Sequence, residues 1–458
     1  MFVLGIDSST QSTKALLVDT DTGAVVDERR APHPDGSEVD PRHWLEALDA
    51  TAADLLPRAE AVAVGGQQHG MVALDERGDV VRDALLWNDT RSAPQAEQLT
   101  AELGGPAAAA RRIGSVPVAS FTATKLRWMA EHEPDNAART HSVLLPHDYV
   151  TRALSADEAL FATDRGDASG TGYFDPQADA WAPELAASAI GHPIELPTLA
   201  SAPNAVVGRT RGGAAIAAGT GDNMAAALGL GLGPGEVSLS IGTSGVAAMV
   251  SPVPTADPTG LVTGFADASG HFLPLACTIN AARILDTTRL LLGVDHAGLD
   301  ALALASVAGA HGLTMLPYLD GERTPSRPYA TGTLAGLTSR TSREDLARAA
   351  VEALLCSLAD AVAFLEAATG VTAQRIVLIG GGARSEAVRL IAPAVLGRPV
   401  EVPPPAEYVA LGAARQAAWA LSGDREPPAW RPAGTRIHEA DPTPEVLDRY
   451  RELRGPVS

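Results

Sequence analysis

A carboxylate followed by a carboxamide stands at a glycine-bent turn in the stretch Gly219-Thr220-Gly221-Asp222-Asn223-Met224. The apolar run 214–218 before it reads as a buried strand, and 224–230 after it as the start of a small-residue helix. Glycines at such a bend let another group come close to the backbone. Asp222 is there either as a helix N-cap, a position aspartate favours, or as a base within reach of a ligand.

A second group of chemistry-bearing residues opens the chain. Asp7 ends the apolar run 2–7, and Ser8-Ser9-Thr10-Gln11-Ser12-Thr13-Lys14 adds five hydroxyls and an amine in one turn. A strand, a polar turn and a returning strand can offer N–H groups and hydroxyls to phosphate oxygens. Asp7 would then be placed to hold magnesium, directly or through water. A plain Ser/Thr-rich hairpin has the same composition. Of 35 basic residues only Lys14 and Lys125 are lysine, which fits a need for a compact point charge at each. Two further polar clusters end strands. Gly66-Gln67-Gln68-His69-Gly70 reads as a ligand loop, and Asn88-Asp89-Thr90-Arg91 as either a second one or a helix cap with a solvated charge pair.

The elements that must carry these residues follow from periodicity and turn chemistry. Strands are expected at 15–19, 24–30, 61–65 and 84–87, and helices at 40–56 and 121–131. Residues 144–149 read as a strand end or helix entry, and 164–173 as an ordered loop. The run Gly229-Leu230-Gly231-Leu232-Gly233-Pro234-Gly235 marks a boundary. Beyond it, strand 236–241, the turn Gly242-Thr243-Ser244-Gly245 and strand 246–250 echo the opening unit. The chain therefore reads as an internal duplication, each half offering a phosphate-facing hairpin across a cleft. A long amphipathic helix is expected at 343–365, and strand 375–379 runs through Gly380-Gly381-Gly382-Ala383 into a helix from 385. That arrangement brings backbone close to a nucleotide, and a helix N-terminus favours anionic groups. An Ala-rich helix at 408–421 precedes a Pro- and charge-rich tail from 424.

Composition sets limits. At 458 residues, two large domains are the default. A formal net charge of −20 argues against a nucleic-acid or anionic-membrane partner. Cys277 and Cys356 form no disulfide framework or metal knuckle. No run approaches a membrane span, and a reducing cytoplasm is the expected compartment.

Taken together, these residues resemble the FGGY carbohydrate kinases of the actin/Hsp70/hexokinase ATPase superfamily. The likeness runs from Leu4 to about Leu421. One family signature is matched at Ser120-Phe121-Thr122-Ala123-Thr124-Lys125-Leu126-Arg127-Trp128-Met129, the other from Gly332-Thr333-Leu334-Ala335-Gly336-Leu337 through Leu346 to Glu352. The resemblance implies an α/β, two-domain, ribonuclease H-like ATPase fold with a central cleft. It implies an N-terminal sugar-binding domain over 1–234, a nucleotide-binding domain over 235–423 and a tail over 424–458. The expected activity is Mg-ATP-dependent phosphorylation of a small sugar, with D-xylulose, converted to its 5-phosphate in pentose catabolism, as the first expectation. L-ribulose, gluconate or a pentitol are the alternatives, and a non-catalytic actin-like ATPase switch is a further one. A homodimer is the family-level expectation.

Residue by residue, Asp222 matches the family's catalytic base, and Asp7 and Asp222 lie near the Mg-ATP. Gln68, His69, Asp222 and Asn223 match sugar-holding positions. Thr10, Thr13, Lys14, Gly242, Thr243 and Ser244 match phosphate-facing positions, and Gly381, Gly382 and Ala383 match those around the adenosine. Three positions depart from the pattern. Gln68 replaces a usual Met, Ser9 a usual Gly, and His147 a usual Lys before Asp148-Tyr149. His147 is expected to be a surface substitution or a pH-sensitive contact. Glycerol kinases carry an Arg-Glu pair where this chain has Gln68-His69, which counts against glycerol.

Overall fold

The computed structural model describes residues 1–457. The chain folds into two compact units. The first comprises Met1–Leu232, Pro252–Leu273 and Glu407–Arg431; the second comprises Gly233–Ser251, Pro274–Ala406 and Pro432–Ser458. The first break falls inside the glycine-rich run, as its composition suggests. Each unit is assembled from three separate stretches of the chain.

The sheet of the first unit runs in the order Val206–Arg209, Ala215–Ala217, Ala61–Gly66, Phe2–Ser8, Ser12–Asp19, Val25–Pro32. Phe2–Ser8 pairs antiparallel with Ser12–Asp19 and parallel with Ala61–Gly66. Alternation along the first strand sends Leu4 and Ile6 into one core layer with Trp44 and Val62, and Val3 into the other with Ala61 and Ala410. The second layer is closed by the helix Tyr408–Ser422, whose alanines let it lie directly on the strands. A side chain at Gly5 would run into the Ala410 carbonyl and Ala414. This contact is why a late helix belongs to the N-terminal unit.

The second unit repeats the plan. Glu236–Ile241 pairs antiparallel with Gly245–Met249 and parallel with Arg375–Ile379, which pairs in turn with Val400–Val402. The hairpin-then-parallel-strand pattern is the duplication expected from the two hydroxyl turns. The helix Arg343–Thr369 is started by a reciprocal cap: Ser342 Oγ accepts from Asp345 N at 3.2 Å, and Asp345 accepts from Ser342 N at 3.0 Å. It is buried over most of its length rather than on one stripe, because its abundant alanines fit against elements on several sides.

Candidate active site

Strand register sets the site of the first unit. Asp7 lies opposite Lys14 on one side and Gly65 on the other. The short strand Thr220–Gly221 pairs beside Gly65 and Gly66. Asp7, the Gly66–Gly70 loop and Asp222 therefore leave the sheet at the carboxyl ends of its parallel strands, where open α/β sheets bind ligands.

Asp222 is the first residue of the helix Asp222–Gly229, and Gly221 holds the cap position. The capping reading of Asp222 therefore gives way. Its Oδ1 accepts from the backbone N–H of Asn223 at 2.7 Å and from Asn223 Nδ2 at 2.9 Å. The same Nδ2 donates to Gln68 Oε1 at 3.0 Å. Protein packed around the carboxylate withdraws it from water, and the charges of Asp7 and Asp167 add to this; its pKa is raised to about 7. A carboxylate tuned in this way suits a general base working near neutral pH.

Asp7 is buried, and burial pushes its pKa up to about 6 against the pull of Lys14. Lys14 Nζ reaches Asp7 Oδ2 at 3.2 Å and Glu407 Oε2 at 2.7 Å. Burial works against the ammonium, but Asp7 and Glu407 outweigh it and hold it above its ordinary range. Thr10 accepts from Trp87 Nε1 at 2.8 Å. Thr13 faces the other way: it is fully buried, and its hydroxyl is 2.8 Å from His33 Nε2. Its backbone still belongs to the turn, but its side chain is not presented to a phosphate.

His69 takes a left-handed backbone conformation, with φ 68°, a strained geometry for a residue with a side chain. Its Nδ1 donates to the Gly170 carbonyl at 2.7 Å. The ring stacks on Phe121 with centroids 5.2 Å apart and lies 5.6 Å from that of Phe265.

The second unit carries the remaining expected residues. The turn Gly242, Thr243 and Ser244 is exposed. It is fixed by Gly242 N to the Ser244 carbonyl at 3.0 Å and by the N–H groups of Ala281 and Ala282. At the glycine triplet, Gly380 has φ +89° and lies against Ile241, and Gly382 packs on the same residue. Gly381 alone has open space around it. The helix Glu386–Leu396 does not offer a free N-terminus to an anion. Asp300 occupies it, accepting from Glu386 N at 2.8 Å and from Ser385 Oγ at 2.5 Å. The sequence expectation of an anion site is met by the chain's own carboxylate, which leaves this turn suited to an uncharged part of a nucleotide.

Other expectations need correction. His147 is no surface substitution: it is fully buried in the helix Pro146–Leu154. Its Nδ1 is 2.6 Å from Asp167 Oδ2, and its Nε2 is 3.1 Å from Asp148 Oδ1 and 4.0 Å from Asp164 Oδ1. Burial alone would neutralise the ring, but the three carboxylates outweigh it and keep it charged. Residues 164–173 contain a short helix, Arg165–Ala168, capped by Asp164. Asp89 is buried and accepts from Ser37 Oγ at 2.9 Å and Arg91 Nε at 2.9 Å, so its carboxylate is spent inside the protein, while Asn88 and Thr90 are exposed. Lys125 is also fully buried, with its amine on the carbonyls of Ala119 and Ser120 and its pKa lowered to about 7 by burial. Asp164, Asp167, Trp87 and Glu407 were not singled out from sequence. The spacing Asp164-Arg165-Gly166-Asp167 was the available signal for the first two.

Magnesium fits the site only as a shared ion. Among the described residues no group of three metal-binding side chains occurs. Asp7 Oδ1, however, is buried without a hydrogen-bond partner, as expected of an oxygen kept for a cation. A hard cation held by one or two carboxylates, with nucleotide phosphates and water, needs no more from the protein.

Both halves of the chain match family models. Residues 2–230 match the N-terminal domain of the FGGY family of carbohydrate kinases, and residues 237–421 match its C-terminal domain. The chain belongs to this family and is a carbohydrate kinase. Among its relatives, the xylulose kinase of Streptomyces coelicolor is 47% identical over 437 residues, covering 92% of this chain and 88% of that one. The xylulose kinase of Streptomyces rubiginosus is 45% identical over 471 residues, covering 98% and 94%. The crystal structure of xylulose kinase from Bifidobacterium adolescentis superposes with a TM-score of 0.93 at 45% identity, covering 99% of both chains.

Proposed function

We propose that this kinase transfers the γ-phosphoryl group of ATP to the primary hydroxyl of D-xylulose, with Asp222 as general base. The observation that carries the reading is the Asp222–Asn223–Gln68 arrangement at the strand ends, in a chain 47% and 45% identical to two proteins named xylulose kinase. Asp222 accepts the hydroxyl proton as the oxygen attacks. Asn223 fixes the orientation of the carboxylate, and Gln68 fixes Asn223. His69, locked in one tautomer by Gly170, has Nε2 as its acceptor atom for a sugar hydroxyl. Phosphoryl transfer depends on positioning and charge stabilisation more than on base strength, so a single well-oriented aspartate suffices.

Asp7 and Asp222 would hold magnesium, which when bound neutralises phosphate charge. Thr10, Lys14 and the backbone of the 8–14 turn serve the phosphates in the first unit. Gly242, Thr243 and Ser244 do so in the second, with Gly381, Gly382 and Ala383 near the adenosine. The compartment is the cytoplasm, in keeping with a strongly acidic chain. No described helix is long and apolar enough to cross a membrane.

The test is ADP release with Mg-ATP against D-xylulose, L-xylulose, D-ribulose, L-ribulose, xylitol, D-arabinitol, gluconate and glycerol. A clear preference for D-xylulose supports the proposal. Preference for another acceptor moves the specificity and leaves the chemistry, and sugar-independent turnover alone refutes the substrate assignment.

A further inference from the structure

The buried cluster around His147 touches both pieces of backbone that carry the sugar-site residues. A Cβ added to Gly66, where the sugar loop leaves its strand, would lie 2.7 Å from His147 Cβ. One added to Gly219, at the start of the Asp222 turn, would lie 2.7 Å from His147 Cδ2. His147 thus packs its backbone and Cβ against one position that bears no side chain and its ring edge against another.

Its carboxylate partners extend the contact in two directions. Asp164 accepts from Thr220 Oγ1 at 2.7 Å, two residues before Asp222, and from the N–H groups of Gly166 and Asp167 at 2.8 and 2.9 Å. Asp167, paired with His147, lies in the short helix whose end carries Gly170. Gly170 N donates to the Asp167 carbonyl at 2.9 Å, and the Gly170 carbonyl accepts from His69. One arm therefore reaches the base and the other reaches a sugar-binding side chain. Three buried carboxylates without a cation would repel one another and lose charge or geometry.

We propose that His147 is a positioning residue for phosphoryl transfer. Its buried imidazolium holds the Asp222 turn through Asp164 and the His69 loop through Asp167, so that base and sugar are aligned by a single charge. The inference rests on the sugar-kinase reading above.

Steady-state kinetics of four proteins test it: the parent, His147→Gln, His147→Lys and Thr220→Val. Thermal melting identifies the folded ones. His147→Gln should lower kcat and raise the sugar KM, together reducing kcat/KM by about thirtyfold, within the range that small misplacements produce. The KM for ATP should stay within about twofold. His147→Lys, which restores a cation, should recover most of the loss. Thr220→Val cuts only the Asp222 arm, so kcat should fall about tenfold with the sugar KM unchanged. A folded His147→Gln enzyme with parental sugar kinetics overturns the proposal, as does a His147→Lys enzyme no better than it. If His147→Gln does not fold, parental kcat in Thr220→Val overturns it. A parent protein inactive on every sugar would instead remove the underlying function.

Discussion

Asn223 Nδ2 lies 3.0 Å from Gln68 Oε1 and 2.9 Å from Asp222 Oδ1. A single amide group thus ties the loop residue that departs from the family pattern to the proposed base. Gln68 Nε2 is buried without a hydrogen-bond partner, which suits a donor awaiting a sugar hydroxyl. Replacing Gln68 by Met removes the Asn223 tether and that donor. Losing one hydrogen bond costs about 0.5–1.5 kcal/mol, so the D-xylulose KM should rise roughly two- to thirteenfold. The ATP KM should not move. Initial rates at varied sugar and nucleotide will show it, and an unchanged sugar KM would mean that Gln68 does not face the substrate.

Replacing Asp222 by Asn should separate activity from stability. Loss of a positioned base costs about 10²–10⁴ in rate, while nucleotide binding, measured by calorimetry, should persist. Stability should move the other way. The carboxyl titrates near its ordinary value when unfolded and at about 7 when folded. The folded state therefore binds the extra proton, its advantage is full below the unfolded pKa, and it is lost as pH rises through about 7. The Asn variant escapes that loss. It should melt at a higher temperature than the parent at pH 8, with the difference shrinking toward pH 4. A variant that retains substantial kcat would refute the assignment of the base.

Much of the site was legible because it is local. The Asp222 turn, the 66–70 loop and the 8–14 hairpin each show a strand ending in glycines or hydroxyls, and the structure brings these three to the ends of neighbouring strands. The His147 cluster was not legible. A lone histidine in a helix carries no mark of burial, and beyond the adjacent Asp148 its partners stand 17 and 20 residues further along at Asp164 and Asp167. Only the fold places a cation against them. Thr13 misled because alternation along a strand turns it inward to His33, which composition does not show. The helix Tyr408–Ser422 was visible as an element, but its docking on Gly5 depends on a contact with Ala410 and Ala414, about 400 residues away in the chain.

The glycine triplet divides into a packing residue and an open one. A methyl group on Gly382 would collide with Ile241, whereas one on Gly381 meets nothing within 4 Å. Gly382→Ala should therefore destabilise the protein by about 1–3 kcal/mol, the usual cost of forcing atoms into packed space. Gly381→Ala should melt like the parent and raise the KM for ATP without changing the sugar KM. Parallel melting curves and nucleotide titrations separate the two effects. Equal stability in both variants would show that Gly382 does not pack as described.

Lys14 links the opening hairpin to Glu407, the residue preceding the helix Tyr408–Ser422, and among the described residues it is the only cation paired with Asp7. Its methionine variant keeps the length of the side chain and removes the charge. Asp7 would lose the largest interaction that opposes its burial, so its carboxyl should rise above its present value of about 6 and be protonated over a wider range of pH. A protonated Asp7 binds a divalent cation poorly. The variant should therefore need more magnesium, with the half-saturating concentration increasing as pH falls from 8 to 6, while the parent shows a weaker dependence. Arginine at this position keeps the charge but spreads it over a planar fork that fits two opposed carboxylates differently, so Lys14→Arg should recover magnesium affinity only in part. Magnesium titrations of ADP release at several pH values provide the measurement. Identical magnesium dependence in the parent and Lys14→Met would show that Asp7 does not hold the ion.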